Sequence, residues 1–498
     1  MLPGEGLVSF CQTLLQPAWH AGEGRTERLG AMNQHSSRMT PEAKVHPAAP
    51  NCDSSQTHPP SDGPTRRSVL KSLARAAAAG VLPSSLVQVF ARAPSPSAKR
   101  RPAPSQSPKT QNPRWYGFNL LEYYSTDTDW MKYFPYKNDG MYLEDDFRWI
   151  RDWGFNFVRL PMDYRFWTDS NDLMKIHEEK VEPIDRAIRL GEKYGIHVNI
   201  CLHRAPGYCR FDELDPSVGA FSKYDRDHGN FPHIHLAVEK TDLFRDPQAL
   251  KAFMYQWAFF AHRYKGVSNE RLSFNLLNEP EVRLTREELR SAWGSSQSPP
   301  AAEAARSIHY QGLSRYTLVA SVAIKTIRVI DPKRLVVSDG CDGGADPVPD
   351  LIDTGVYQSA HAYMPMNLTH YKAEWMPEKK GLGSPSWPLT SHHGNGATGP
   401  DQIEYLLQQW KEIEKRGVCI HFGETGCYKY TPHRTVMAWF NDLLRVIANK
   451  MNCGWALWNF RGPFGILDTE RKGTKFEDWH GHQLDRALLK LLQKNMKA

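Results

Sequence analysis

Two short motifs in this chain place a glutamate where it could do acid–base work: Asn278-Glu279-Pro280 and Gly423-Glu424-Thr425-Gly426. Each follows a short apolar run. Arg159, His203, His361 with Tyr363, and Trp458 stand in the same kind of position. Two carboxyl groups facing each other across a cavity can divide labour. One stays protonated to donate to a leaving-group oxygen, and the other ionises to attack carbon, provided their environments separate the two pKa values. Arg159 beside one carboxylate is expected to hold it ionised, with Tyr363 bonding the same group, while the carboxyl without a cation keeps its proton. That is an arrangement for glycosidic cleavage, and a separation of about 5–5.5 Å would give net retention at the anomeric carbon.

Residues so far apart in the chain need a scaffold that gathers them. From residue 115 onward, eight short, near-continuous apolar runs recur at 115–121, 155–160, 196–202, 272–277, 335–338, 356–360, 418–422 and 454–460. Runs of this kind read as strands buried on both faces. Between them the period becomes helical. Leu250, Phe253, Met254, Trp257, Phe260, Ala261 and Tyr264 form one stripe, opened by Asp246-Pro247 as cap and first turn. Ile403, Leu406, Leu407, Trp410 and Ile413 form another, and Val436, Trp439, Phe440, Leu443, Leu444 and Ile447 a third. Alternating strands and helices imply a parallel sheet, and eight such units fit a (β/α)8 barrel with long loop insertions. An open doubly wound sheet would announce a Gly-rich turn after its first strand, and Asn119-Leu120-Leu121-Glu122 is no such turn. The long connections 204–245 and 364–400 follow the third and sixth strands, on the face where such barrels keep their sites. On this fold the side chains at the strand ends converge.

With those residues assembled, the chain resembles glycoside hydrolase family 5, the cellulase family of retaining (β/α)8 β-glucanases. Phe274-Asn275-Leu276-Leu277-Asn278-Glu279-Pro280 matches the family's acid/base strand, and His421-Phe422-Gly423-Glu424 its nucleophile strand. Val158-Arg159-Leu160-Pro161, Leu202-His203-Arg204-Ala205-Pro206-Gly207, His361-Ala362-Tyr363 and Trp455-Ala456-Leu457-Trp458 match its other signatures, in order, over residues 113–495. The resemblance implies that Glu279 is the acid/base and Glu424 the nucleophile. It implies that Asn278 bonds the sugar 2-hydroxyl, that Arg159 and Tyr363 position Glu424, that His203 and His361 bond around the reacting sugar, and that Trp458 is its stacking floor. No cofactor or metal is implied, and the substrate would be a β-linked oligo- or polysaccharide. Ala205-Pro206-Gly207 is reminiscent of the exo-β-1,3- and β-1,6-glucanase branch, with β-mannanase as the alternative.

Blander explanations exist for each residue: a solvated loop glutamate, a rim ion pair, satisfied core histidines, packed tryptophan. All of them holding at once, each at a strand end, is improbable. Two rivals remain of other kinds. His233-Ile234-His235 and His480-Gly481-His482 have spacings seen at metal sites but no carboxylate partners arranged with them, so surface histidines are the expectation. A silent carbohydrate-binding barrel would keep Trp458 and loop aromatics such as Trp375 and Trp387 but could lose a glutamate, and both glutamates are present.

The net charge of +7 invites nucleic acid until it is located. Residues 1–112 hold 13 Lys/Arg against 6 Asp/Glu, which is the whole excess, so the folded part is balanced and suits an uncharged substrate. No partner protein is implied, and the expectation is a monomer. Residues 1–64 read as a disordered extension, and 65–93, opening on Thr65-Arg66-Arg67-Ser68-Val69-Leu70-Lys71, as a twin-arginine-like signal. Residues 94–112 read as a Pro/Ser-rich linker, and 113–498 as the catalytic domain. Export to the periplasm, cell surface or medium is the matching expectation. Cys201 and Cys419 sit within apolar runs and read as small buried hydrophobes.

Overall fold

The computed structural model describes residues 112–126, 140–209, 241–282, 301–376, 383–389 and 399–496, with side chains in the helix over 301–330 from residue 312 onward. The extension, signal and linker assigned to 1–111 lie outside the described residues, as do His233 and His235.

Eight parallel strands close into a barrel: β1 Tyr116–Asn119, β2 Phe157–Asp163, β3 His197–Arg204, β4 Leu272–Asn275, β5 Val336–Asp339, β6 Tyr357–Ala362, β7 Ile420–Thr425 and β8 Trp455–Leu457. They pair in chain order, and β8 returns to β1 with Tyr116 opposite Trp455. All eight expected runs are strands. β3 is buried along its whole length, which is why it lacks hydrophobic alternation. Helices α1 Glu144–Asp152, α2 Glu182–Tyr194, α3 Pro247–Arg263, α4 Ala301–Ile330, α5 Pro400–Leu406, α6 Gln408–Lys415, α7 His433–Arg445 and α8 Arg486–Lys494 fill the connections. The Asp246 carboxylate caps α3 by accepting from Gln248 N at 2.8 Å, and the stripe from Leu250 to Ala261 is buried. The stripe at 403–413 is two helices meeting at Leu407 rather than one. Between β5 and β6 a helical turn at Cys341–Gly344 and a 3₁₀ helix, Pro349–Thr354, stand in for a crossover helix.

Two strand boundaries move in a way that matters for the site. The sequence places Arg159 at the close of the second strand, but β2 runs on to Asp163. Pro161, which cannot donate to a ladder, would ordinarily end a strand. Here it costs nothing: Leu120 N bonds Arg159 O, β1 has already ended, and the β1 side of β2 is next used only where Asp163 N reaches Tyr123 O. Arg159 therefore lies inside the barrel. Likewise β7 extends through Glu424 to Thr425, and a bulge opposite Ala360 and His361 brings His361 level with Glu424. Gly423 makes that approach possible, since a Cβ there would sit 2.4 Å from Ser359 Oγ.

The lower lumen is plugged by rings. Trp115 stacks on His197 with centroids 4.1 Å apart, and Phe157 packs on His421 at 4.6 Å. His197 Nε2 meets Ser273 Oγ at 2.7 Å.

Candidate active site

The upper lumen is organised around one guanidinium. Arg159, 1% exposed, donates to Glu424 Oε1 at 2.6 Å and Asn119 Oδ1 at 3.1 Å through Nη1. It donates to Asn275 Oδ1 at 2.9 Å through Nε. Through Nη2 it donates to Asn278 Oδ1 at 2.9 Å and Asp339 Oδ2 at 3.1 Å, with Cys201 Sγ also 3.1 Å away. From β2 it thus touches β1, β3, β4, β5 and β7. The fork geometry of arginine suits it to several planar acceptors at once.

Glu424 receives Tyr363 Oη on its other oxygen at 3.0 Å, as expected. Glu279 stands just beyond β4 with φ of 41°, a left-handed conformation that costs a non-glycine residue about 1–2 kcal/mol. Its peptide is held there from both sides: Glu279 N donates to Asp339 Oδ2 at 3.2 Å, and Tyr208 Oη donates to Glu279 O at 2.7 Å. The carboxylate oxygens of Glu279 and Glu424 and the ring nitrogens of His361 include a set lying within 4.8 Å of one another.

The side chain of His361 is 0% exposed and faces the carboxylates. Nδ1 lies 2.7 Å from Glu279 Oε1 and 3.6 Å from Glu424 Oε2, while Nε2 lies 3.2 Å from Asp339 Oδ2, off the ideal hydrogen-bond line. Burial alone would drive this imidazole toward neutrality. Glu424 and Asp339, with hydrogen bonding to Asp339 and Glu279, overcome burial and raise it to about 10.

The expected electrostatics need revising on the same grounds. The sequence marks Glu279 as the carboxyl without a cation, yet the imidazolium of His361 touches it. Glu424 does pair with Arg159, but burial, with the charges of Glu279 and Asp339, outweighs His361 and Arg159 and sets its pKa above the ordinary carboxylate value. For Asp339 the balance is reversed. Burial raises it, yet His361 and Arg159 more than compensate and leave it below the usual value.

The remaining candidates gather at the same mouth. His203 stacks on Trp458 with centroids 5.6 Å apart and meets Tyr124 edge-on at 4.6 Å. Burial lowers its pKa to about 3, so it is neutral, and its Nδ1 has no hydrogen-bond partner among the described residues. Asn278 spends its oxygen on Arg159, which turns its amide NH2 to other use. Trp458, 5% exposed, packs with Leu121, Tyr124, Trp375, Tyr428 and Phe464, and Tyr363 leans on this cluster. Trp375 is therefore core. Trp387 is drawn away to α7, donating to Asp442 Oδ2 at 2.8 Å.

Sequence reading misses Asp339, Asn119, Asn275 and Tyr208. The signal for Asp339 is present: Val336-Val337-Ser338-Asp339 is an apolar run ending in a polar residue, the pattern that singles out Glu279. Of the metal candidates, His482 is engaged by Asp468 Oδ2 at 2.7 Å and by Arg461, and His480 stacks on Trp149. Among the described residues the one grouping of a size to hold an ion is Glu279, His361 and Glu424, and there the proton on His361 opposes metal ligation.

A family model described as Cellulase (glycosyl hydrolase family 5) matches residues 110–462. Endoglucanase C of Acetivibrio thermocellus is 22% identical over 363 residues, covering 68% of this chain and 90% of its own. Cellodextrinase A of Ruminococcus flavefaciens is 27% identical over 336 residues, covering 65% and 82%. A solved structure described as a glycoside hydrolase superposes with a TM-score of 0.61 at 32% identity, covering 77% of this chain and 99% of its own.

Proposed function

Since the chain belongs to the cellulase family, glycosyl hydrolase family 5, we propose that it cleaves a β-glucan by double displacement, with Glu424 as nucleophile and Glu279 as acid/base. In the first half, Glu424 attacks the anomeric carbon while Glu279 gives its proton to the departing glycosidic oxygen. A covalent glycosyl–enzyme results. In the second half Glu279, now ionised, takes a proton from water. The water oxygen bonds to the same carbon, and Glu424 leaves as carboxylate.

The observation that carries this reading is the closeness of the two carboxyl groups, one oxygen of each lying within 4.8 Å of the other. Inverting enzymes need about 6.5–9.5 Å to admit a water between them. Arg159 and Tyr363 orient Glu424 for attack. The Asn278 amide is the donor for the sugar 2-hydroxyl, and neutral His203 stacks on Trp458 beside it. Trp458 supplies apolar surface for the C–H face of the ring. Because the Glu424 pKa is raised, activity falls on the acid side through a pKa above the ordinary carboxylate value, as the nucleophile takes up a proton.

The relatives named endoglucanase and cellodextrinase support a β-glucan over a mannan. The twin-arginine-like segment at 65–93 supports an enzyme that acts outside the cytoplasm. Hydrolysis of laminarin, carboxymethylcellulose and mannan is to be compared, with proton NMR of the first anomer released. The β-anomer is expected first from a β-glucan, and an α-anomer as first product would overturn the mechanism. Glu424→Ala is expected to lower turnover on the order of 10⁵-fold while sparing ligand binding.

A further inference from the structure

Arg159, Tyr363 and both glutamates account for one face of the site, but His361 is buried between three carboxylates, and the third has no part in the chemistry above. Asp339 ends β5, is 0% exposed, and accepts on both oxygens. Oδ1 takes Asn275 Nδ2 at 2.9 Å. Oδ2 takes Arg159 Nη2 at 3.1 Å and Glu279 N at 3.2 Å, and lies 3.2 Å from His361 Nε2. Among the described residues no other group reaches both the backbone of Glu279 and the far nitrogen of the histidine that touches its carboxyl. The imidazole is pinned from behind as well. Gly344, at φ of 72°, packs so closely that a Cβ there would sit 2.5 Å from His361 Cγ.

We propose that Asp339 is a positioning residue for the acid/base: its charge keeps His361 doubly protonated, so that Nδ1–H is held on Glu279 Oε1 and the acid's proton is directed to the other oxygen. This rests on the reading of Glu279 as the acid/base. The chain runs Asp339 Oδ2, His361 Nε2–H, His361 Nδ1–H, Glu279 Oε1, with 3.2 Å and 2.7 Å at its two gaps. A neutral imidazole could still donate to Glu279 but would carry no charge to meet Asp339, whose contact with Nε2 is an ion pair off the hydrogen-bond line. With Nδ1–H fixed on it, Glu279 Oε1 is occupied as an acceptor in each half of the reaction, and Oε2 is the oxygen that gives and regains a proton. The charged and titratable groups around His361 are Glu279 beyond β4, Asp339 on β5, Glu424 and His421 on β7, Arg159 on β2 and His203 on β3. Of these, Asp339 is the one carboxylate that meets Nε2 and takes no part in bond making.

The test is the pH dependence of kcat/KM in Asp339→Asn and Asp339→Glu. Removing a negative charge lowers the proton affinity of the His361–Glu279 pair. The alkaline limb of Asp339→Asn is therefore expected to move toward acid by about one unit or more, whereas Asp339→Glu keeps the limb near its wild-type position even where kcat drops. A merely structural role would lower kcat without moving the limb, and an unmoved limb in a folded Asp339→Asn enzyme overturns the proposal. Should that variant fail to fold, nitrogen-15 NMR of the wild-type imidazoles decides. His361 is expected to remain cationic at pH 8, and a neutral His361 at pH 7 overturns the assignment. That measurement involves no turnover. It is therefore separable from Glu279→Gln, whose full activity would instead sink the reading of Glu279 as acid.

Discussion

One barrel lumen holds buried histidines of opposite character. At the bottom, His197 bonds Ser273 Oγ and the Glu270 carbonyl, and His421 bonds the Trp115 carbonyl at 3.1 Å. Burial pushes both down to about 3, and the charges that reach them, from Arg271 and Arg334 or from Arg159 and His361, are positive and act the same way. At the top, His361 is no less buried, yet carboxylates carry it up to about 10. Burial is common to the three, so company decides. The lower layer is neutral and packed by rings. The upper layer is a lattice of charges that no ring could replace, and it is there that proton transfer can occur.

The heaviest blow to that contrast is Arg159→Ala. It strips the guanidinium from buried Glu424 and Asp339, which are then left to share the one cation of His361, and is expected to cost about 3–5 kcal/mol. Calorimetric unfolding reads this directly. A wild-type melting temperature would mean that the upper layer is not held by its charges. Arg159→Lys should recover little of the loss, because an ammonium cannot reach Glu424, Asn275 and Asp339 with a planar fork.

A finer probe is the pH dependence of unfolding free energy. His361 binds its proton more tightly when folded, so it contributes stability that is complete below about pH 6.5 and is lost as pH rises toward about 10. His197 and His421 bind theirs more weakly when folded. They contribute stability that is complete above about pH 6.5 and is lost as pH falls toward about 3. His361→Asn should flatten the alkaline decline alone, and His421→Asn should only lessen the acid decline, which His197 and His203 share. Denaturant titrations at several pH values test both, and a shared response would erase the distinction between layers. The smallest effect expected is that of EDTA. Activity should stay within error of the untreated enzyme, because His361 holds a proton where a metal would need a lone pair. Loss of activity, restored by a divalent ion, would invert the electrostatics drawn for the upper layer.

The barrel itself is legible because two periods alternate along the chain, and apolar runs without alternation mean strands covered on both faces. Glu279, Glu424 and their partners are legible because each closes such a run. Arg159 reads at the wrong height, since a proline ordinarily ends a ladder and only the early end of β1 excuses Pro161. Asp339 escapes notice because Ser338-Asp339-Gly340 has the composition of a solvated turn. What makes it a buried ion-pair partner is the arrival of Arg159 and His361 from other strands, which no local pattern encodes. The direction of the Glu424 shift is hidden for a related reason. A single neighbouring cation can be guessed from a motif, whereas the sum over burial, two carboxylates and two cations needs coordinates.

The reach of Arg159 across five neighbouring strands has an evolutionary corollary. A lesion there would surface as a folding defect in one assay and as dead chemistry in another, because the same contacts serve both ends. Diversification of such a molecule is therefore channelled outward, to rim positions such as Met364 and Tyr430. These stand 46% and 40% exposed past the ends of β6 and β7 and can be exchanged without unpicking the knot beneath them.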